Sequence, residues 1–294
     1  MSALPDAPVR DAPCPAALRD WLARHERIFI LTGAGCSTQS GIPDYRDRNG
    51  EWKRTPPITL QALTGSDAAY RRYWARSSVG WPRFLAAAPN PAHHALAALE
   101  ARGQVRLLLT QNVDGLHQRA GSRRVIDLHG RLDEVVCLGC GARSTRVEIQ
   151  SGIESANPGW RAGPARSAPD GDADIDDGAV DGFIPPYCDH CRGLLKPDVV
   201  FFGESVPRQR VADAQQALHE SDAVLVAGSS LMVWSGFRFV RAAAALGLPV
   251  AILNRGRTRA DDLASLRIDA DIATALQQAL PSPAAPAIAE AGLR

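Results

Sequence analysis

Leu107-Leu108-Leu109-Thr110-Gln111-Asn112-Val113-Asp114 is the stretch that decides the fold. A wholly apolar run breaks off into two amides and a carboxylate. The pattern repeats where Val125-Ile126-Asp127-Leu128 gives way to His129-Gly130. Short apolar runs of this kind read as buried strands carrying polar cargo at their carboxyl ends. In an open parallel sheet, ligands bind in the crevice beyond those ends, which makes Gln111, Asn112, Asp114 and His129 candidates for chemistry. A core histidine with ordinary loop polars is the bland alternative. Three further runs argue against it, because they end in the same way: Ile28-Phe29-Ile30-Leu31-Thr32 into Gly33-Ala34-Gly35, Ala223-Val224-Leu225-Val226-Ala227 into Gly228-Ser229-Ser230, and Val250-Ala251-Ile252-Leu253 into Asn254-Arg255-Gly256. Five strands then deliver small or hydrogen-bonding residues to one edge of one sheet, an arrangement suited to an extended nucleotide.

The Gly33-Ala34-Gly35 turn lets backbone N–H groups approach a pyrophosphate. It is not the turn of an ordinary hydride-transferring dehydrogenase. Thr38 stands where that fingerprint wants a third glycine, and the region about 20 residues on reads Trp52-Lys53-Arg54-Thr55 rather than offering a ribose-binding acid. The loop runs on instead through Cys36-Ser37-Thr38-Gln39-Ser40-Gly41-Ile42-Pro43-Asp44-Tyr45-Arg46, long and polar enough to wrap a nucleotide. Helices are expected over Ala16–His25 and Pro207–His219. A third helical region covers residues 56–102, with Trp74, Trp81, Phe84, Leu85, Leu96 and Leu99 as anchors and Pro82, Pro89 and Pro91 as breaks.

The chain has 294 residues, 45% of them hydrophobic, enough for one large domain with a smaller appendage. Its 33 basic and 32 acidic residues leave a net charge of +1, no footprint for nucleic acid or membrane. The N-terminus lacks a basic head and apolar block, so a cytoplasmic location is expected. Of six cysteines, Cys137, Cys140, Cys188 and Cys191 form two C-x2-C pairs. Four thiolates suit one closed structural zinc site better than a redox dithiol does. Between the pairs, residues 151–182 are rich in Gly, Ala, Pro and Asp. Asp170-Gly171-Asp172-Ala173-Asp174-Ile175-Asp176-Asp177 tempts a calcium-loop reading, but no register puts glycine at the required sixth position. The segment reads as a solvated insertion.

Together these residues resemble the sirtuins, NAD-dependent protein deacylases of the Sir2 family. The likeness rests on Gly33-Ala34-Gly35 with Gly41-Ile42-Pro43-Asp44-Tyr45-Arg46, on Gln111-Asn112-Val113-Asp114, and on Leu128-His129-Gly130. It extends to the cysteine pairs, Lys196-Pro197 through Gly203-Glu204, and Gly228-Ser229-Ser230. Tyr73-Trp74-Ala75-Arg76, Gly80-Trp81-Pro82 and Ala168-Pro169-Asp170-Gly171-Asp172 further resemble the class II branch that holds the mitochondrial lipoamidase and ADP-ribosyltransferase sirtuin. The resemblance implies an α/β fold: a Rossmann-like parallel sheet with helices on both faces, a small zinc-binding module and a helical insertion. Residues 16–55, 103–131 and 193–280 would form the NAD-binding domain, 56–102 the helical insertion and 132–192 the zinc module, with flexible ends at 1–15 and 281–294.

It also implies roles. NAD phosphates would lie on Gly33, Ala34, Gly35, Gly228, Ser229 and Ser230, and the adenosine near Asn254, Arg255, Gly256 and Ile272. Nicotinamide would be gripped near Ile42 and Asp114, flanked by Pro43, Asp44, Gln111 and Val113. Asn112 would orient ribose or water, Tyr45 and Arg46 would cover the ribose, and His129 would act as general base. An acylated lysine on a protein would enter as a strand between Val200-Phe201-Phe202-Gly203 and Leu231-Met232-Val233. Zinc would sit on the four paired cysteines. Two departures are visible. Cys36 stands where the family commonly has an apolar residue, and Glu51-Trp52-Lys53-Arg54 lacks the Tyr-x-x-Arg pair of dicarboxyl-acyl specialists, which favours neutral acyl groups. The rivals are an ADP-ribosyltransferase, a lipoamidase or long or branched acyl-lysine deacylase, an idle NAD sensor, and a zinc-ribbon nucleic-acid binder, the last opposed by the lack of a basic stripe.

Overall fold

Gly33 and Gly228 owe their meeting to the order in which the strands assemble. The computed structural model describes residues 14–53, 57–163, 165–167 and 170–280. Of the ends expected to be flexible, 1–13 and 281–294 lie outside these, as do Arg54, Ala168 and Pro169. Helix α1 (Cys14–Ala23) leads into β1 (Ile28–Thr32); α2 (Leu60–Thr64), α3 (Asp67–Ala86) and α4 (Pro91–Ala101) precede β2 (Val105–Thr110). After α5 (Leu116–Arg119) come β3 (Val125–Asp127), β4 (Gly130–Cys137), β5 (Arg143–Thr145), α6 (Arg146–Ala156), β6 (Arg166–Ser167), β7 (Ala173–Asp174) and β8 (Leu195–Val199). The chain closes with α7 (Arg208–His219), β9 (Ala223–Ala227), α8 (Trp234–Ala245), β10 (Val250–Leu253), β11 (Leu266–Ile268) and α9 (Ile272–Ala279).

The order β11-β10-β9-β1-β2-β3 makes one six-stranded sheet, parallel throughout. Counted along the sheet, this is the doubly wound order 3-2-1-4-5-6, whose strand sequence reverses between β1 and β9. Alternate strand residues feed two cores. Ile28, Ile30, Leu225 and Leu253 pack under α1, α4 and α9, while Phe29, Leu31, Val226 and Ile252 pack under α7 and α8. Burial on both faces is why these strands read as continuous apolar runs. Helix α4 falls within the 56–102 stretch, yet Ala92, Ala95, Leu96 and Leu99 set it on the face of this sheet.

Leu195–Val199 does not join the parallel sheet; it belongs to a separate antiparallel sheet, β5-β4-β8. Pro82 does not break its helix: α3 runs through it from Asp67 to Ala86. The proline cannot bond the Ser78 carbonyl one turn back. Gln150 of α6 takes that carbonyl instead at 3.2 Å, and Arg146 takes the Ser77 carbonyl at 3.2 Å. The 151–182 insertion is not simply solvated either. Asp172 is 9% exposed and pairs with Arg76 of α3 at 2.9 Å, and a Cβ on Gly80 would collide with the Gly171 carbonyl. Burial, then the neighbouring Asp170, pushes the Asp172 carboxyl up to about 7, with Arg76 opposing.

Candidate active site and metal centre

The glycine turns are built for contact between backbones. Gly35 N–H donates to the Gly228 carbonyl at 2.9 Å, and a Cβ on Gly33 would stand 2.8 Å from the Ser229 Cβ. Gly228 has φ +68, and a Cβ there would strike the Cys36 backbone nitrogen. Gly228→Ala is therefore expected to lower the thermal midpoint by roughly 5 °C or more in a fluorimetric melt, from left-handed strain plus the clash. Leu231, at φ 58, is strained without being glycine; its N–H donates to Ser229 Oγ at 3.2 Å and its side chain is buried.

Beyond the carboxyl ends of β1, β2 and β9 lies a cavity of about 970 Å³. Its walls include Gly33, Ala34, Gly35, Ile42, Pro43, Asp44, Tyr45, Arg46, Gln111, Asn112, Val113, Asp114 and His129. They also include Val200, Phe201, Phe202, Gly203, Gly228, Ser229, Ser230, Leu231, Val233, Asn254, Arg255 and Ile272. Of the positions singled out in the sequence for nucleotide or peptide, Gly256 alone does not line it. Its φ of +78 lets the turn press on the Arg48 backbone, where a Cβ would clash.

One network fixes the polar cluster after β2. Asn112 Nδ2 donates to the Gly33 carbonyl at 3.1 Å and to Ser37 Oγ at 3.0 Å. Ser37 donates to Asp114 Oδ2 at 2.7 Å, and Leu116 N–H donates to Asp114 Oδ1 at 2.9 Å. Burial nevertheless raises the Asp114 carboxyl above its ordinary range, these bonds opposing. From the other side Asn90, the N-cap of α4, donates to the Cys36 carbonyl at 2.8 Å and clasps the loop. Arg46 stacks its guanidinium 4.0 Å over Trp52, and Trp52 meets Phe202 edge-on at 5.8 Å. Lys196, 7% exposed, donates to Glu204 at 3.1 Å and to the Val199 carbonyl at 2.6 Å, bracing the 199–204 wall.

His129 is held at both nitrogens. Its Nδ1 faces the Gln111 carbonyl at 2.9 Å, which can only accept, so Nδ1 carries the proton and Nε2 the lone pair. Ser235 Oγ lies 2.7 Å from Nε2. Burial lowers the imidazole to about 4, helped by Arg238 of α8 and Arg210 of α7, while the Gln111 bond opposes. Ser37, Asp170, Ser235 and Arg238 also line the cavity, and none was singled out in the sequence as a site residue. Ser37 lies in the loop already read as polar. Ser235 and Arg238 fall in a helix, where no local pattern sets them apart.

Cys36, His93 and His117 bring ligand atoms within 4.8 Å of one another beneath the loop. His93 Nδ1 accepts the Asn90 backbone N–H at 3.2 Å, closing a capping box and spending the lone pair a metal would need. Cys36 belongs to the buried core and its thiol is pushed up by burial, so it packs. The four paired cysteines are different. Cys137 Sγ lies 3.5 Å from Cys191 Sγ, and Cys140 Sγ 3.7 Å from Cys188 Sγ. A disulfide needs about 2.05 Å; sulfurs on a tetrahedral zinc at ~2.3 Å stand about 3.8 Å apart. Gly139 N–H donates to Cys137 Sγ at 3.3 Å and Gly193 N–H to Cys191 Sγ at 3.4 Å, as thiolates require. The set fits a structural zinc with no open position.

A doubly wound sheet with a cavity at its switch point, flanked by a four-cysteine module, defines a nucleotide-binding α/β protein. The chain belongs to the Sir2 family, whose profile matches residues 33–235. It is 64% identical over 260 residues, 88% of this chain and 89% of the relative, to the "NAD-dependent protein deacetylase" of Xanthomonas campestris pv. campestris (strain 8004). It is 60% identical over 253 residues, 86% and 93%, to "NAD-dependent protein deacetylase 2" of Bradyrhizobium diazoefficiens. Among solved structures it resembles "Sir2-p53 peptide-NAD+", with TM-score 0.71 and 31% identity over 88% of this chain and 94% of that one. It also resembles "Structure of Sir2Tm bound to a propionylated peptide", with TM-score 0.70 and 31% identity over 88% and 94%. Among the described residues no helix is long and apolar enough to cross a membrane.

Proposed function

We propose that the chain is an NAD-dependent protein lysine deacylase of the deacetylase type, passing the acyl group to ADP-ribose and releasing nicotinamide. The observation that carries this reading is the meeting of the Gly33 turn, the Gly228 turn and His129 on one cavity at the switch point. When bound, NAD supplies the ribose carbon that the acyl oxygen attacks. Gly33, Gly35 and Gly228 spend their own N–H groups on internal carbonyls and let the two turns close up, while Ala34, Ser229 and Ser230 offer backbone N–H groups to its phosphates. Asn254, Arg255 and Ile272 stand at the adenosine end. Asp114, oriented by Ser37 and Leu116 N–H, accepts from the nicotinamide amide near Ile42. His129 accepts a proton from a ribose hydroxyl at Nε2, and Asn112 orients the ribose. The acyl-lysine segment adds as a strand between Val200–Gly203 and Leu231–Val233. Zinc on Cys137, Cys140, Cys188 and Cys191 holds its module together and takes no part in the chemistry.

Within the family the class II branch is favoured by Tyr73–Arg76 and Gly80–Pro82, of which Arg76 pairs with Asp172 and Gly80 packs against the Gly171 carbonyl. Neutral acyl groups are the favoured substrates. The test incubates the protein with NAD and an acetyl-lysine peptide and follows products by mass spectrometry. One nicotinamide and one O-acetyl-ADP-ribose per lysine freed supports the reading, whereas labelled ADP-ribose carried onto protein without deacetylation overturns it. The pH dependence adds a check. A base held at about 4 stays neutral well below the ordinary 6.5, so kcat/KM for NAD is expected to stay flat from pH 7 to about 5 and to fall as pH drops through about 4.

A further inference from the structure

We infer that Ser235 is a proton relay: the proton leaving the ribose hydroxyl reaches His129 Nε2 through the Ser235 hydroxyl. The inference rests on the deacylase reading and deepens it. A neutral imidazole with its proton on Nδ1 has one lone pair on Nε2. In this chain that lone pair already accepts from Ser235 Oγ at 2.7 Å. Ser235 is 8% exposed, sits in the first turn of α8 and faces the cavity. It does not cap the helix, whose N-cap is Val233, and among the described residues its Oγ bonds nothing but His129. The oxygen therefore keeps lone pairs free toward the cavity. A ribose hydroxyl arriving there meets the serine oxygen before the ring nitrogen.

The transfer balances without any other reactant. The ribose O–H bond breaks as a new Ser235 O–H bond forms, and the serine's original proton passes to Nε2, leaving an imidazolium. The electron pair released on the ribose oxygen forms its bond to the acyl carbon. Gln111 holds the ring in the required tautomer throughout, because its carbonyl fixes the Nδ1 proton. Arg238, one helical turn beyond Ser235, and Arg210 of α7 are the charged groups facing the ring.

The test uses the full chain and Ser235→Ala. The relay predicts a fall in deacylation kcat of about 100-fold or more, the scale of a lost acid–base partner. NAD binding by calorimetry and nicotinamide exchange, which precede the transfer, should stay within about threefold of wild type. Ser235→Thr, which keeps the hydroxyl, should restore most of the rate. In the free protein the 15N resonance of His129 Nε2 should move in Ser235→Ala, reporting the lost hydrogen bond independently of turnover. Wild-type or faster turnover in Ser235→Ala, or an unmoved Nε2 resonance, overturns the relay alone. Wild-type protein that consumes no NAD with any acyl-lysine peptide overturns the functional reading and the relay with it.

Discussion

His129→Ala should lose deacylation by about a thousandfold or more while binding NAD within a fewfold of wild type, since general acid–base groups contribute roughly 10²–10⁴ in rate. The separation follows from where the ring stands. It lies between β3 and β4, touching Gln111 and Ser235, while the contacts proposed for the phosphates are backbone groups of two other turns. Alanine removes the proposed base and leaves the Gly33 and Gly228 turns in place. Turnover on an acetyl-lysine peptide, read beside calorimetric NAD binding, decides the matter. Retained turnover removes His129 from the chemistry, and lost NAD binding makes it a binding residue instead.

Cys188→Ser should have the other large effect: zinc content below about a fifth of an ion per chain and a thermal midpoint about 10 °C or more lower, because structural zinc supplies folding energy outright. Activity should fall as well, although the cluster is remote from the cavity. Strand β4 runs from Gly130, beside His129, to Cys137, and β8 pairs with both its ends, Gly130 against Val199 and Cys137 against Leu195, across a bulge between Arg131 and Val135. The ladder is therefore as long as the five residues of β8, roughly 15 Å. One end of the ladder is pinned by the sulfurs and the other supports His129 and the 199–204 wall. Elemental analysis, melting and turnover on the same sample check all three. A zinc-free variant that melts and turns over like wild type would leave the cluster without a structural role.

Much of this was legible in the chain because it is written locally. The apolar runs of β1, β2, β9 and β10 have no polar interruption, since both their faces are covered. The glycine turns and the C-x2-C pairs carry their geometry in their spacing. Strand β11 passed unseen: it is three residues long with Arg267 at its centre, too short for a period to show. Pro82 read as a break because the side chain that takes the released Ser78 carbonyl, Gln150, lies more than sixty residues away. Asp170 and Asp172 read as solvated because acidic runs usually are. The burial of Asp172 depends on Arg76 and on the absent side chain of Gly80, which no local pattern reveals.

The two turns at the sheet reversal press together so closely that Gly33, Gly35 and Gly228 have no room for even a methyl group. Descendants of this chain can therefore alter little at the end proposed for the phosphates without losing the turn itself. The far walls are under no such restraint. Phe202 and Trp234 come from outside the parallel sheet and are exposed, so either can be exchanged without disturbing a core, whereas Tyr73 and Phe84 also belong to buried clusters. Evolution, or an engineer, would thus find one half of the cavity closed to revision and the other half open, with new acyl preferences arising where side chains rather than main chain form the boundary.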